Sequence, residues 1–463
     1  MITDFLKKYD NKSLIRGLFW IAVYLLWVIW LGNYWFLIGL PVVFDIYFTK
    51  KVNWSPWKKR EGKNHVVIEW IDALIFAVVA VTIINIFLFQ NYKIPTGSME
   101  KSLQIGDHLY VSKVAYGPRL PMTPLSIPFM QNTIPGTTRK SYSVWPQWDY
   151  KRLKGFGEVK RWQPVVFNFP EGDTVCLDRT NVSYYSVVRD AANDLKKSDL
   201  NSGRPLKPEN EYYALGRKIV WQNHDIAYRP IDKEDNYIKR CVGVPGDSLQ
   251  VIGGIVYING EQEPAFEGRQ FLYYVYTQGG ISNKRLKEMG IYSDEINKSG
   301  NTIFAPLTQQ MIETLQRYKN VSKIEKFKWD FVDYNIFPSD AQYPWSLDNF
   351  GPIYIPKAGV TVALDMQSLP FYNRIIGHYE GNKLEVKDSA IYINGEIATS
   401  YTFKQDYYWM MGDNRHSSLD SRYWGYVPEN HIIGTPRFIW LSLNKDKKFP
   451  ANIRINRMFR PIR

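Results

Sequence analysis

Residues 91–103, NYKIPTGSMEKSL, mark the point where the chain passes from an apolar segment into a long, mixed-polarity region. The stretch follows the apolar run 66–90 and holds Ser98 in the turn-like setting Pro95-Thr96-Gly97-Ser98. Eight extended residues span at most ~28 Å, so the Ser98 hydroxyl would stay close to any membrane that the apolar run crosses. The question that the rest of the sequence must answer is whether a distant residue can activate this serine.

The composition is that of a folded protein with a membrane anchor. The 463 residues are 45% hydrophobic, 22% charged and 16% aromatic, enough for two domains or one large elaborated domain. The net charge of +13 comes from basic residues beside the apolar segments and from scattered lysines, so we predict no nucleic-acid partner. Cys176 and Cys241 do not make a disulfide framework; one bridge or two free thiols both remain open. The six histidines show no metal-ligand spacing, and neither a metal nor a cofactor is predicted.

Two apolar segments near the N-terminus predict a membrane anchor over residues 1–90. The first, 17–48, is too long for a cleaved signal peptide and lacks a small-x-small site after it. Its break at Gly32-Asn33 allows either one tilted span or a hairpin of two short spans, so two or three transmembrane segments are possible in all. The second segment is 69–90.

Basic residues set the expected orientation of this anchor. Lys7, Lys8, Lys12 and Arg16 precede the first segment. The loop 49–65 carries Lys50, Lys51, Lys58, Lys59, Arg60 and Lys63. Because basic loops stay in the cytoplasm, the second segment should deliver residues 91–463 to the opposite side of the bilayer.

This ectodomain reads as mainly antiparallel β structure with long α and loop insertions. Strands are predicted at 106–114, 165–169 and 236–244. Asn-Gly turns predict two hairpins, around 255–262 and 390–397. Helices are predicted at 183–197 and 308–318, and loops at 120–150 and 199–210.

A serine nucleophile needs a base, and the sequence offers two lysines. No G-x-S-x-G elbow or histidine triad is indicated. Lys239 lies inside the apolar strand YIKRCVGV, where burial could lower its pKa to ~7–8 and leave it neutral enough to accept a proton. The plain structural alternative is an edge-strand lysine that extends to solvent.

Lys101 is the rival base, since Ser98-Met99-Glu100-Lys101 fits the S-x-x-K pattern of penicillin-binding proteins. The S-x-N and K-[ST]-G elements that such a site also needs overlap at residues 298–301, which argues against it. A GDSL sequence at 246–249 imitates a lipase motif, but it follows a proline in a turn and is read as structural.

Four blocks, in this order behind a membrane segment, resemble the bacterial type I signal peptidases, which are membrane-anchored Ser-Lys endopeptidases. The blocks are PTGSM at 95–99, GDHLYVSK at 106–113, YIKRCVGVPGD at 237–247 and GDNRHSSLDSRYWG at 412–425. They cover about fifty residues.

The resemblance implies a role for each matching residue. Ser98 would be the nucleophile and Lys239 the general base; Thr96 and the Ser98 amide would form the oxyanion hole. Ser418 would orient the lysine, and Asp420 and Arg422 would support the site from behind.

The resemblance also implies a function: endoproteolytic removal of signal peptides from exported preproteins, after small residues at positions −1 and −3, through an acyl-enzyme. The implied partners are the preprotein and the lipid bilayer, and the implied place is the bacterial inner membrane, with a monomeric catalytic domain on the periplasmic side. The alternative is an anchored β-rich binding or assembly protein with an inactive peptidase-like core.

The chain departs from the family pattern in two ways. Lys101-Ser102-Leu103 stands where Pro-Thr-Leu is common, which would place a charge near the substrate groove. Long segments at about 120–160, 185–232 and 265–380 exceed a minimal family core, and the sequence assigns them no role.

Overall fold

The computed structural model describes residues 11–32, 34–54, 56–57, 64–291, 296–445 and 447–462. The chain separates into two compact units, Met1–Asn85 and Ile86–Arg463. The basic residues at positions 7, 8, 58, 59, 60 and 63, which support the predicted orientation of the anchor, lie outside the described residues.

The first unit is helical, as its composition predicts. It contains α1 (Asn11–Leu31), a 3-10 helix (Tyr34–Gly39), α2 (Leu40–Phe44), a π-helical turn (Asp45–Thr49) and most of α3 (Val66–Phe87). Within the described residues, two helices are long and apolar enough to cross a membrane: Lys12–Leu31 with 20 residues and Val66–Phe87 with 22.

The segment after α1 folds back onto it, as in the hairpin alternative. A Cβ on Gly17 would lie 2.5 Å from the Phe48 ring, and one on Gly39 would lie 2.1 Å from the Tyr24 hydroxyl, so glycines allow the close approach of the two limbs. The returning helical segment, Phe36–Thr49, is apolar but shorter than a usual span of ~17–25 residues.

The second unit is mainly β. Its helices are α4 Tyr184–Asn201, α5 Glu209–Asn223, α6 Asn283–Glu288, α7 Gln309–Gln316, α8 Leu369–Arg374 and α9 Ser421–Trp424. Its strands are β1 Phe89–Lys93, β2 Asp107–Ser112, β3 Pro164–Asn168, β4 Thr174–Cys176, β5 Ile226–Tyr228, β6 Asn236–Gly243, β7 Ser248–Ile252, β8 Ile255–Ile258, β9 Glu261–Gln262, β10 Phe271–Thr277, β11 Asn297–Ser299, β12 Thr302–Leu307, β13 Val321–Lys326, β14 Phe350–Tyr354, β15 Thr361–Ala363, β16 Leu384–Lys387, β17 Ala390–Ile393, β18 Glu396–Ile397, β19 Ser400–Thr402, β20 Tyr407–Met411, β21 Val427–Pro428 and β22 Ile432–Ser442.

The largest sheet gathers strands that are far apart in sequence. Its order is β1-β2-β22-β3-β6-β20-β21, and all neighbouring strands are antiparallel. The Ser98 turn lies in the connection between β1 and β2, Lys239 lies on β6, and β20 leads into the block 412–425. The predicted fold class, apolar helices followed by an antiparallel β ectodomain with insertions, is confirmed.

Both predicted Asn-Gly hairpins form. Asn259 and Gly260 have φ angles of 54° and 85°, and Asn394 and Gly395 have 54° and 91°. Positive φ at both central residues is the requirement of a type I′ turn, which asparagine and glycine meet at least cost. These turns connect β8 to β9 and β17 to β18.

The insertion 265–380 contains an unforeseen subdomain. Residues 271–326 follow the order β10-α6-β11-β12-α7-β13, and the sheet order is β11-β12-β10-β13, a ferredoxin-like βαββαβ arrangement. An apolar core of its own, including Val275, Leu286, Ile303 and Leu315, holds the helices against one face of the sheet. We name residues 271–326 the βαββαβ subdomain.

Two other insertions differ from each other in kind. Residues 120–150 form the predicted loop, held down where Asp232 accepts hydrogen bonds from the Met122 and Thr123 amides. The prediction of a loop at 199–210 is wrong at both ends, because α4 continues to Asn201 and α5 begins at Glu209. The two helices pack against each other, and that packing outweighs the polar composition of their ends.

Candidate active site

The Ser98 turn is fixed from beneath by apolar side chains. Gly97–Met99 forms one 3-10 turn, with Thr96 extended before it and exposed to solvent. Met99 and Leu103 are fully buried in a cluster with residues of β2 and β22. Ser98 itself is 9% exposed, so its hydroxyl is held in place yet close to the surface.

Lys239 meets this serine although 141 residues separate the two. The Lys239 Nζ lies 2.6 Å from the Ser98 Oγ, and the lysine is 4% exposed. Burial lowers the pKa of Lys239 to about 8; the carboxylates of Asp420 and Asp413 oppose this shift, and the Arg422 guanidinium adds to it. Most of the amine is still protonated at neutral pH, but its neutral fraction is far larger than that of an ordinary lysine and grows as pH approaches 8.

The rival base Lys101 and the GDSL sequence at 246–249 make contacts elsewhere. The Lys101 Nζ donates a hydrogen bond to the Gly290 carbonyl, at 2.7 Å, in the turn after α6. In the GDSL sequence, Asp247 is buried and bound to Arg161, while Ser248 is exposed and begins β7. Of the candidate bases, it is Lys239 that the fold brings to the Ser98 hydroxyl.

The block 412–425 packs directly against the serine turn. The Asn414 amide donates to the Ser98 carbonyl at 3.1 Å. A Cβ on Gly412 would lie 2.2 Å from the Ser418 Oγ and 2.7 Å from the Ser98 carbonyl oxygen, so only glycine fits there without a shift. Ser418 and the backbone of Ser98 are thus separated only by Gly412.

The Ser418 hydroxyl is buried, and within the described part of the chain it makes no hydrogen bond that meets normal distance and angle limits. It nevertheless contributes to lowering the pKa of Asp420. No hydrogen bond joins Ser418 to Lys239, two residues that the structure describes, so the orienting role implied by the resemblance stays a prediction.

Asp420 and Arg422 form a buried ion pair behind the lysine. The Asp420 carboxylate accepts from the Arg422 Nε and Nη2, each at 2.8 Å, and from the Gly412 amide at 3.0 Å. Burial alone would raise the pKa of Asp420, but the Arg422 charge and these hydrogen bonds hold it below its ordinary value. The Asp420–Arg422 pair therefore fixes the position of the Gly412 backbone, which packs against the Ser98 carbonyl.

Sequence reasoning missed a second ion pair in the site. The Asp413 carboxylate accepts from the Arg240 Nε at 2.8 Å and Nη2 at 2.7 Å, and from the Ser102 hydroxyl at 2.5 Å. Arg240 follows Lys239 directly, and Asp413 lies in the fourth block, so the available signal was one charged residue in each of two blocks to which the resemblance gave no role. Ser102 therefore joins the strand of the lysine to the loop of the serine.

Both cysteines are buried and free, which settles the open question of their pairing. Across the described ranges, no group of three or more His, Cys, Asp or Glu side chains could hold a metal ion. The absence of a cofactor remains a prediction.

Comparison with known proteins identifies the family. The family model described as "Signal peptidase, peptidase S26" matches residues 67–272 and 396–441, more than half of the chain. Signal peptidase I of Haemophilus influenzae is 23% identical over 401 residues, which are 85% of this chain and 76% of that protein.

Shorter matches fall on parts of the chain. Signal peptidase I of Buchnera aphidicola (subsp. Acyrthosiphon pisum) is 56% identical over 52 residues, 11% of this chain and 17% of that protein. Signal peptidase I of Bacillus amyloliquefaciens is 29% identical over 116 residues, 20% of this chain and 62% of that protein. The chain belongs to the peptidase S26 family of signal peptidases, and is a serine peptidase by that membership.

Proposed function

We propose that the protein removes signal peptides from exported preproteins, with Ser98 as nucleophile and Lys239 as general base. The observation that carries the proposal is the 2.6 Å approach of the Lys239 Nζ to the Ser98 Oγ in a buried setting. A lysine can act as a base when desolvation leaves it neutral, and an Oγ within hydrogen-bond reach can pass its proton directly to the amine.

The proposed reaction proceeds in two stages. Ser98 Oγ attacks the carbonyl carbon of the scissile bond while its proton moves to the Lys239 Nζ. When the tetrahedral intermediate collapses, the lysine returns that proton to the leaving amine of the mature protein, and the signal peptide remains as an ester on Ser98. Neutral Lys239 then takes a proton from the water that attacks the ester. When the bond to Ser98 breaks, the lysine gives this proton to the Ser98 Oγ, and the signal peptide leaves with a free C-terminal carboxyl group.

The negative charge that develops on the carbonyl oxygen needs donors. We assign them to the Ser98 amide and the Thr96 hydroxyl; a single such donor is typically worth ~2.7–4 kcal/mol. Thr96 is exposed in the free enzyme, extended, and does not cap the turn with its side chain, which is compatible with a donor that meets substrate.

The supporting residues act through Lys239. In this proposal Ser418 orients the ammonium group, and Asp420 and Arg422 fix the block from which Ser418 projects. The close packing of Gly412 against both Ser418 and the Ser98 carbonyl supports this, because a shift of the block would move both.

Substrate recognition follows from the β architecture and the apolar helices. The preprotein would add an extended strand beside the serine turn, with shallow pockets for small residues at −1 and −3. The two long apolar helices would hold the chain in the inner membrane, with the basic loop 49–65 in the cytoplasm and residues 91–463 as a periplasmic catalytic domain. We expect a monomer to suffice.

The direct test is cleavage of a purified preprotein by the detergent-solubilised full chain, with the product N-terminus read by mass spectrometry. Wild-type protein should cut once, after a small-x-small sequence, and Ser98→Ala and Lys239→Met should not cut. Lys101→Met is the matched lysine control: it keeps the dyad and loses the contact with the Gly290 carbonyl, so it should still cut at the same bond. An inactive wild type would favour the rival reading, a binding protein with a peptidase-like core; loss of activity in Lys101→Met but not in Lys239→Met would restore the S-x-x-K site.

A further inference from the structure

The loop that carries Ser98 is held from the side by the insertion whose role the sequence left open. Gln270, the residue before β10, is completely buried, and its Nε2 donates to the Glu100 carbonyl at 2.9 Å. The backbone amide of Gln270 donates to the backbone carbonyl of Asp413 at 2.9 Å, and the backbone carbonyl of Gln270 accepts from the Arg415 amide at 3.0 Å. Gln270 is therefore fixed to the block 412–425 through its backbone and to the serine loop through its side chain.

A second contact comes from the interior of the βαββαβ subdomain. The Lys101 ammonium binds the Gly290 carbonyl in the turn after α6, where a positive charge also meets the negative end of a helix. Lys101 has a φ angle of 72°, in the left-handed region. Proline, with φ locked near −65°, cannot occupy this conformation. The departure from the family's usual proline is thus part of the same local structure as the contact with the insertion.

A third contact is steric. A Cβ on Gly268 would lie 1.9 Å from the Ser102 Oγ and 3.1 Å from the Ser102 amide nitrogen, so the segment before β10 lies directly on the loop. Three successive residues after Met99, namely Glu100, Lys101 and Ser102, are each contacted by the segment 268–290. Residues 273–395, which include most of the subdomain, lie outside the segments that match the family model.

We propose that segment 268–290, which leads into the βαββαβ subdomain and forms its first part, is a positioning element of the active site: Gln270 and the turn at Gly290 hold residues 100–101 and thereby fix the Ser98 Oγ in front of Lys239. This inference rests on the proposed function for its catalytic consequence. The physical reason is that a nucleophile displaced by a fraction of an ångström from its base loses the near-attack geometry on which rate depends. Gln270 touches no reacting atom, so it is a positioning residue and not a catalytic one.

The experiment compares Gln270→Met with wild type and with Asn320→Leu. Methionine keeps the volume of glutamine and removes the donor. Asn320 is the matched control, because its Nδ2 also donates to a backbone carbonyl, that of Gly280, within the subdomain but away from the serine loop. For each protein, kcat and KM for preprotein cleavage, the melting temperature, and hydrogen exchange of the peptide covering residues 97–103 are measured on the full chain in detergent.

Gln270→Met should lower kcat on the order of 10-fold with KM changed less than ~2-fold, and should accelerate exchange in residues 97–103. Asn320→Leu should lower the melting temperature without either effect. Lys101→Pro should be more damaging to kcat than Lys101→Gly, since glycine adopts the positive φ and proline cannot.

The outcomes separate the two proposals. Unchanged exchange at 97–103 in Gln270→Met overturns the positioning role, even if the wild-type enzyme proves to cleave nothing. Faster exchange with an unchanged kcat overturns it as well, and so does a loss of kcat equal to that of Asn320→Leu at equal loss of melting temperature. A wild type that cleaves no preprotein refutes the proposed function alone.

Discussion

Replacing Lys239 by methionine should abolish cleavage and, at neutral pH, make the protein more stable. Lys239 is 4% exposed, and burial lowers its pKa from 10.5 to about 8. At ~1.4 kcal/mol per pKa unit, this difference means that the buried ammonium costs the folded state about 3 kcal/mol wherever both states are protonated. Loss of the hydrogen bond to Ser98 destabilises Lys239→Met by ~1 kcal/mol. The net effect of the substitution at pH 7 is therefore a stabilisation of about 2 kcal/mol.

The pH dependence gives this prediction its sign. Below pH 8 both the folded and the unfolded wild type carry the proton, so the full cost of the buried charge applies. Between about 8 and 10.5 the folded state loses its proton first, and the wild type gains stability as pH rises. The advantage of Lys239→Met should therefore shrink by about 3 kcal/mol across this window and vanish or reverse at its upper end.

Urea unfolding of the full chain in detergent, followed by tryptophan fluorescence at several pH values between 6.5 and 10.5, measures this difference. Ser98→Ala is the control, because it removes the same hydrogen bond but keeps the buried amine, so its stability should follow the wild-type pH dependence. A difference between Lys239→Met and wild type that stays constant over the whole range would refute the depressed pKa, and with it the reason for choosing this lysine as the base.

Four further outcomes follow from the site. The rate kcat/KM should rise with pH through a limb near about 8, because Lys239 must lose its proton to act; a limb near ~10 in the pH–rate profile would contradict this. Ser418→Ala should lower kcat on the order of 10-fold or more while the free energy of unfolding changes by less than ~1 kcal/mol, since the Oγ makes no protein hydrogen bond among the described residues; equal losses of both would assign it a purely structural role. Gly412→Ala should lower kcat by at least ~10-fold in the same cleavage assay, because its Cβ would force Ser418 or the Ser98 carbonyl to move; wild-type rates would show that the block yields freely. Asp420→Asn should reduce the free energy of unfolding in urea by ~3–5 kcal/mol, because it leaves the Arg422 charge buried with half of its partner; a change under ~1 kcal/mol would show that the pair is dispensable.

The parts of the fold that the sequence predicts well are those with strong local signals. Alternating apolar residues predict β2 and β6, and Asn-Gly pairs predict the two type I′ turns. The serine and lysine were found because each lies in a short, distinctive block, and an apolar strand around a lysine is itself a physical reason for a lowered pKa.

What could not be predicted depends on contacts between distant segments. Nothing in the local pattern around Gln270 shows that its side-chain amide would reach the Glu100 carbonyl, 170 residues away. Of the βαββαβ subdomain the sequence predicted only α7, at 308–318. The helix α6 has six residues and β11 has three, so their local signals are weak, and a shared core stabilises them.

Lys101 shows how a local rule can mislead. Its spacing from Ser98 fits S-x-x-K, and a charge beside the substrate groove was expected from its position. The backbone turns through a left-handed conformation, and the ammonium binds the Gly290 carbonyl rather than Ser98; the expected charge beside the substrate groove stays a prediction. Spacing in sequence gives the distance along the chain, but the backbone conformation and the rotamer set the direction in which the side chain points.

The central claim is that Ser98 carries the acyl intermediate and that Lys239 enables it. Rapid mixing of the full-length enzyme with preprotein, acid quenching within a turnover, and proteolytic mapping by mass spectrometry would locate the covalent adduct. The account predicts a signal-peptide ester on the peptide that contains Ser98 in wild type and in Lys101→Met, and none in Ser98→Ala or Lys239→Met. An adduct on another residue, or an undiminished adduct in Lys239→Met, would contradict it.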